Sequence, residues 1–292
     1  MDLGGQGALS QIVIALAVAT TIFILYFMAE QMYRWWNGFK KLRVVIQDKT
    51  LALPADPEKT LIQNPDNSAL RDSILSLSEN QLTGIEFSYT MFVYISPSTD
   101  DLNLGWKTIF YKGYKDGPYP LCGPGVFVSS SNVENGNPTL RVVMNTYDRW
   151  YNTVDVNQVP FRKWIHLAVI LRRNNMEVYV NGNLANRTSF KGTLPYQNYQ
   201  DLHIGSIYKT STPADFDNTS GTNFKRGIPP GDNFIINGCI NGFISRFQYF
   251  SYALTYSEIQ STMNVGPNPE MDQSNMDKPP YLIDSWWTQM KG

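Results

Sequence analysis

Residues 163–190 read KWIHLAVILRRNNMEVYVNGNLANRTSF, and this stretch decides the fold. Trp164 to Arg172 is an apolar run of strand length. Asn174-Asn175 predicts a turn into a second strand, Met176 to Val180. Asn181-Gly182 is the strongest hairpin signal in the chain, because a type I′ turn needs positive φ at both central positions. Leu184 to Phe190 then runs back. Three strands joined by tight turns begin an antiparallel sheet.

The same logic extends in both directions. Phe87 to Ile95 (FSYTMFVYI) alternates, with Phe87, Tyr89, Met91, Val93 and Ile95 on one face. Further strands are expected at Trp106–Lys112, Gly125–Ser129, Thr139–Thr146, Thr153–Val156, Leu202–Ile207 and Cys239–Phe250. Many short strands at this spacing predict a sandwich of two antiparallel sheets. ALTYSEIQ (253–260) places Thr255 and Glu258 at capping-box spacing and predicts a short helix. Two long loops interrupt the strands, Tyr114–Pro124 and Thr210–Asn237. Aromatics make up 13% of the chain, which favours an all-β body.

Upstream the character changes. Residues 44 to about 80 carry three prolines and scattered apolar positions, and read as a free linker or as an arm packed on the following domain. A short helix is a candidate at Ser68–Leu77. Before this, Ile12–Ala29 reads IVIALAVATTIFILYFMA, and the uncharged run from Ala8 is 22 residues long. At about 1.5 Å per residue it spans a hydrocarbon core of roughly 30 Å. Ile12, Leu16, Ile22 and Leu25 are its apolar anchors, and Thr20 and Thr21 can return their hydroxyls to the helix backbone. A signal peptide would have a basic start and a small-residue cleavage site, whereas this chain begins MDLGGQG, so a retained anchor is expected. Position 2 is Asp, which excludes N-myristoylation. Arg34, Lys40, Lys41 and Arg43 follow the helix and no basic residue precedes it, so the C-terminal bulk is expected on the cytoplasmic side. Trp35 and Trp36 lead an aromatic belt at that boundary.

Formal charge is −1, which excludes a global field attracting nucleic acid. The two cysteines, Cys122 and Cys239, form no zinc motif. A single disulfide between them is permitted and not forced. Sequons at Asn186 and Asn218 stay bare if the domain is cytoplasmic.

Several stretches resemble the concanavalin A-like lectin/glucanase superfamily in its laminin G-like and pentraxin-like form. GIEFSYTMFVYI looks like the opening strand, residues 163–190 like the middle, and LHIGS with INGFISRFQYFSYALTYSEIQ like the closing elements. The resemblance covers about 84 to 263 and implies a jelly-roll sandwich. The variant with TIFYKG, VVMNTYD, PYQNYQDLHIG and PPYLIDSWW is similar to proteins of large double-stranded DNA viruses of eukaryotes. It implies a virion membrane protein or minor capsid component, lying between an inner membrane and an icosahedral shell.

The expected organisation is therefore a membrane helix with its flank (1–43), a linker or arm (44–83), the sandwich (84–263) and a proline-rich tail (264–292). Glycoside cleavage needs paired carboxylates flanking one bond. The one E-x-D, Glu270-Met271-Asp272, lies in the tail with Asn275 where a second Glu belongs, so no enzyme activity is expected. His166 and His203 fall inside strand patterns and read as packed residues. Calcium is a candidate ligand at loop acids, with Asp215, Asp217 and Asp232 the chosen positions beside a further Asp100, Asp101 and Asn103 group. Solvated turn residues are the simpler reading of all of them. The superfamily often has Asp after G-x-I in the closing strand, and here Ser245 follows Gly242-Phe243-Ile244, which argues against a transferred metal site. Tyr147, Trp150 and Tyr151 are candidates for a sugar or partner platform, with a packed strand-end cluster the simpler reading, and Trp286 and Trp287 either dock on the domain's own surface or make partner contact. The expected partners are the lipid bilayer and other capsid or membrane proteins, with a membrane-displayed carbohydrate-binding module as the alternative.

Overall fold

A computed structural model describes residues 5–55, 58–63, 74–78, 85–96, 105–113, 122–129, 138–147, 149, 151–160, 162–190, 194–207, 209 and 234–272, with the backbone alone for 5–10 and 34–42. The chain divides into two units, Met1–Arg43 and Val44–Gly292.

The first unit is helix α1, Gly5–Leu42. Its stretch Gln11–Tyr33 is long and apolar enough to cross a membrane, and none of it is buried. The hydroxyl of Thr20 donates to Leu16 O and Ala17 O, and that of Thr21 to Ala17 O at 2.8 Å, so neither presents an unsatisfied donor. Trp35 and Trp36 lie on the helical backbone, and their side chains are outside the described residues.

The second unit is the expected sandwich. One sheet contains β1 (Arg43–Gln47), β2 (Leu51–Leu53), β4 (Glu86–Ser96), β9 (Trp164–Arg172), β10 (Asn175–Val180), β11 (Asn183–Ser189) and β14 (Asn241–Phe250), in the order β1-β14-β4-β9-β10-β11 with β2 also on β14. The other contains β3 (Lys59–Leu61), β5 (Trp106–Lys112), β6 (Gly125–Ser129), β7 (Leu140–Met144), β8 (Asn152–Val156), β12 (Leu202–Ile204) and β13 (Ile236–Cys239), in the order β3-β12-β5-β6-β7-β8 with β13 parallel to β5. The predicted turn is present: Asn181 has φ 49° and Gly182 φ 76°. The Asn181 backbone N–H donates to His166 O at 2.8 Å and its side-chain oxygen accepts the His166 N–H at 2.9 Å. The preceding turn sits one residue earlier than expected, because Arg172 pairs with Asn175 and Arg173 takes φ 56°.

The alternating face of β4 lines the core, with Phe87, Tyr89, Met91, Val93 and Ile95 all buried. Tyr89 and Phe247 from one sheet meet Phe110 from the other at ring separations of 5.5 and 4.6 Å, which ties the layers together. Burying each such ring contributes about 1.5–3 kcal/mol. Helix α2 (Tyr256–Asn264) starts at the predicted capping box and sets Ile259 with Leu254 over Ala168, Ile170 and Phe250, outside the first sheet.

One open alternative is decided and two expectations are corrected. The segment after residue 43 is the packed arm: β1, β2 and β3 extend both sheets, and Leu51, Leu53, Ala55 and Leu75 enter the core. Leu75–Ser78 is not helical, and the remainder of the expected short helix up to residue 73 lies outside the described residues. Cys239–Phe250 is two strands in different sheets, broken at Ile240 between Gly238 (φ 75°) and Gly242. At Gly242 a Cβ would run into the carbonyl oxygen of Tyr94, so only glycine permits this approach of β14 to β4.

Candidate functional site

A cleft of about 340 Å³ opens where the 194–199 segment meets the arm and the end of β7. Backbone pairing builds its wall. Thr146 bridges Pro195, the Tyr147 N–H donates to Leu194 O at 3.2 Å, and the Tyr196 N–H donates to Asn145 O at 3.0 Å. This sets Tyr147 and Tyr196 edge to face, 5.1 Å apart at 61°. Tyr147 is 70% exposed and Tyr199 60%. Leu77, Ile85 and Leu194 supply the apolar remainder.

The polar groups under the cleft hold it in shape. Gln197 accepts the Ser78 N–H at 3.0 Å and donates to the Tyr249 hydroxyl at 2.8 Å, which donates onward to Ser76 O at 2.6 Å. The Ser78 hydroxyl accepts the Glu86 N–H at 2.7 Å. Beneath the loop, the buried amine of Lys112 donates to Asn198 O at 2.6 Å and Gln200 O at 2.7 Å, while the Asn198 amide returns a bond to Lys112 O. Burial lowers the Lys112 amine to about 8, against the opposing pull of Asp201. Burial also pushes the Tyr249 hydroxyl up, so it serves as a neutral donor.

Of the two expected platform aromatics among the described residues, Tyr147 lies on the surface and Tyr151 does not. Tyr151 is 4% exposed, takes a 2.6 Å hydrogen bond from Arg141 and packs 5.1 Å from Phe234. It is a core residue, because Arg141 and Phe234 cover the outer side of β7 and β8 there. Trp150 lies outside the described residues, as do Asp215, Asp217, Asp232, the Asp100 group, Trp286 and Trp287. Among the described residues there is no group of three or more His, Cys, Asp or Glu that could hold a metal ion. Tyr196 and Tyr199 escaped the sequence reading. Their signal was two tyrosines and a proline within PYQNYQ (195–200), a stretch with neither strand nor helix period.

The titratable side chains of the sandwich have structural surroundings. His166 is buried against Phe92 at 5.0 Å, and burial lowers it to about 4, so it is neutral at pH 7. His203 stacks on Tyr111 at 4.8 Å, with Nδ1 2.9 Å from Glu58. Asp155 binds Arg141 in a two-point pair at 2.7 and 2.6 Å. The tail E-x-D braces the arm: Glu270 O accepts the Thr50 N–H, and Asp272 accepts from Gln47 at 2.8 Å and Lys59 at 3.1 Å. Burial pushes the Cys122 thiol up and raises Cys239 to about 12, so neither is a thiolate at neutral pH.

Comparison with solved structures places the receptor binding domain of botulinum neurotoxin D among the similar chains, at 11% identity, a TM-score of 0.46, and coverage of 77% of this chain and 53% of that one. The receptor binding domain of the botulinum neurotoxin C/D mosaic serotype aligns at 11% identity with a TM-score of 0.40, covering 63% of this chain and 37% of that one. A sialidase of Trypanosoma rangeli aligns at 15% identity with a TM-score of 0.37, covering 61% and 22%. This chain thus spans between about a fifth and a half of the length of these structures. No curated protein matches the sequence. The family model of the concanavalin A-like lectin/glucanases superfamily matches residues 69–226, from the arm through the central hairpins to beyond β12. More than half of the length is matched, the two-sheet architecture agrees, and the chain belongs to that superfamily.

Proposed function

We propose that this chain is a single-pass membrane protein whose lectin-like sandwich binds a neighbour and performs no catalysis. One observation carries the reading: Gln11–Tyr33 forms a continuous helix, long and apolar enough to cross a membrane, with its large apolar side chains exposed. Such a surface is stable in hydrocarbon and not in water. Arg34, Lys40, Lys41 and Arg43 on its C-terminal side favour a sandwich on the cytoplasmic face. The resemblance of TIFYKG, VVMNTYD and PYQNYQDLHIG to virion proteins supports a structural role. The helix sits in an inner virion membrane, and the sandwich links it to the shell through capsid or membrane-protein partners. Absence of catalysis draws support from Asp155, Asp272 and Glu58, which are engaged with Arg141, Lys59 and His203.

A second reading, a carbohydrate-binding module displayed outside, draws support from the lectin fold and from exposed Tyr147. Calcium at the loop acids belongs with this reading. It requires glycans on the sequons, of which Asn186 lies exposed on β11. Glycosidase digestion of the full-length chain made in eukaryotic cells separates the two. Unchanged mobility supports the cytoplasmic, structural role, and a mobility shift overturns it.

A further inference from the structure

We infer that the tyrosine cleft is a docking site for a proline-rich segment of a partner protein, bound in the polyproline II conformation. The inference rests on reading the sandwich as an interaction domain, and it supplies the chemistry of the partner.

The first ground is where the sandwich exposes apolar surface. Among the described residues after Arg43, nine large hydrophobic side chains are exposed, and three of them, Tyr147, Leu194 and Tyr199, line this one cleft. Clustering of that kind marks an interaction site, whereas single exposed residues do not. The second ground is the polarity of the wall. Among its described lining residues none is charged, and the one amide, Gln197, has both ends engaged by Ser78 and Tyr249. Among these described residues a charged ligand finds no partner to offset its lost hydration. A sugar carries hydroxyls around its rim and needs planar amide, carboxylate or guanidinium groups to fix it, and the described wall offers none. A polyproline II strand has no internal hydrogen bonds and exposes flat pyrrolidine faces and outward carbonyls. Its rings stack on tyrosines and its carbonyls accept from tyrosine hydroxyls, which is how aromatic grooves read proline-rich segments. The third ground is rigidity. The Lys112 amine and the Gln197 amide hold the loop from below, so little ordering remains to oppose binding. A volume of about 340 Å³ lies at the small end of ligand pockets and suits a short segment.

The test titrates nonaproline into the full-length chain in lipid nanodiscs and reads binding by calorimetry. Sialyllactose, maltohexaose and a peptide of residues 273–292 are run alongside. The expected result is saturable binding of nonaproline, weakened about tenfold or more by Tyr147→Ala or Tyr199→Ala, as for an anchor residue. Val265→Ala, exposed and outside the cleft, leaves it unchanged. Both tyrosines are exposed, and matching thermal melts establish that the variants fold. The inference is overturned if nonaproline fails to bind or binds the tyrosine variants equally. It is also overturned if a sugar binds with the same tyrosine dependence, or if the 273–292 peptide displaces nonaproline and so makes the chain's own tail the occupant. Failure of the membrane reading would appear separately, as release of the chain from vesicles with these titrations unaltered.

Discussion

Helix α1 and the sandwich handle the same kinds of side chain in opposite ways. Ile12, Leu16, Ile22 and Leu25 are 56–62% exposed, whereas Phe87, Tyr89, Phe110 and Phe247 are 1% exposed or less. The sandwich hides its apolar surface between two sheets and beneath α2. The helix satisfies every polar group it can internally and turns its apolar surface outward. On the proposed membrane reading the two regions are stable in different solvents, and substitutions should separate them cleanly.

The largest effect is expected in the helix. Leu16→Arg with Ile22→Arg should strip the chain from the membrane pellet, since each arginine costs about 2.5–3.5 kcal/mol at a helix centre. The thermal melt of the sandwich should not move. Phe247→Ala inverts that pattern. It should lower the urea midpoint by an amount equivalent to about 3–5 kcal/mol, through loss of a ring shared by both sheets, and leave membrane partition intact.

Acid should reach the sandwich before the helix, through His166. Its folded pKa of about 4 lies below the ordinary 6.5, so between those values the unfolded chain binds the extra proton. Stability therefore declines as pH falls from about 6.5 to about 4, by at most roughly 3 kcal/mol. Urea midpoints across that range check the slope, and His166→Gln should flatten it. The smallest effect belongs to the α2 cap. Thr255→Ala removes the bond to the Glu258 N–H and should cost about 1 kcal/mol in the same assay, with no effect on partition.

What could be read from residue order follows from which contacts are local. The face of β4 and the Asn181-Gly182 turn depend on neighbours a few positions away, and both stand as expected. The arm was ambiguous because β2 and β3 are three residues long and take their partners from β14 and β12, far along the chain. The break at Ile240 hid within an apolar run, although Asn237-Gly238 and Asn241-Gly242 flank it. In the cleft, Tyr147 was legible as an aromatic at a strand end. Tyr151 stays open between platform and packed cluster in the sequence, because its cover, Phe234, arrives from 83 positions later. Tyr196 and Tyr199 belong to a wall made by backbone pairing outside any strand, which leaves no period to detect.

The account depends most on the outward apolar face of α1 being a membrane face. Washing vesicles that carry the full-length chain with alkaline carbonate tests it directly. The account predicts that the intact chain stays with the bilayer pellet, and its recovery in the supernatant would contradict it.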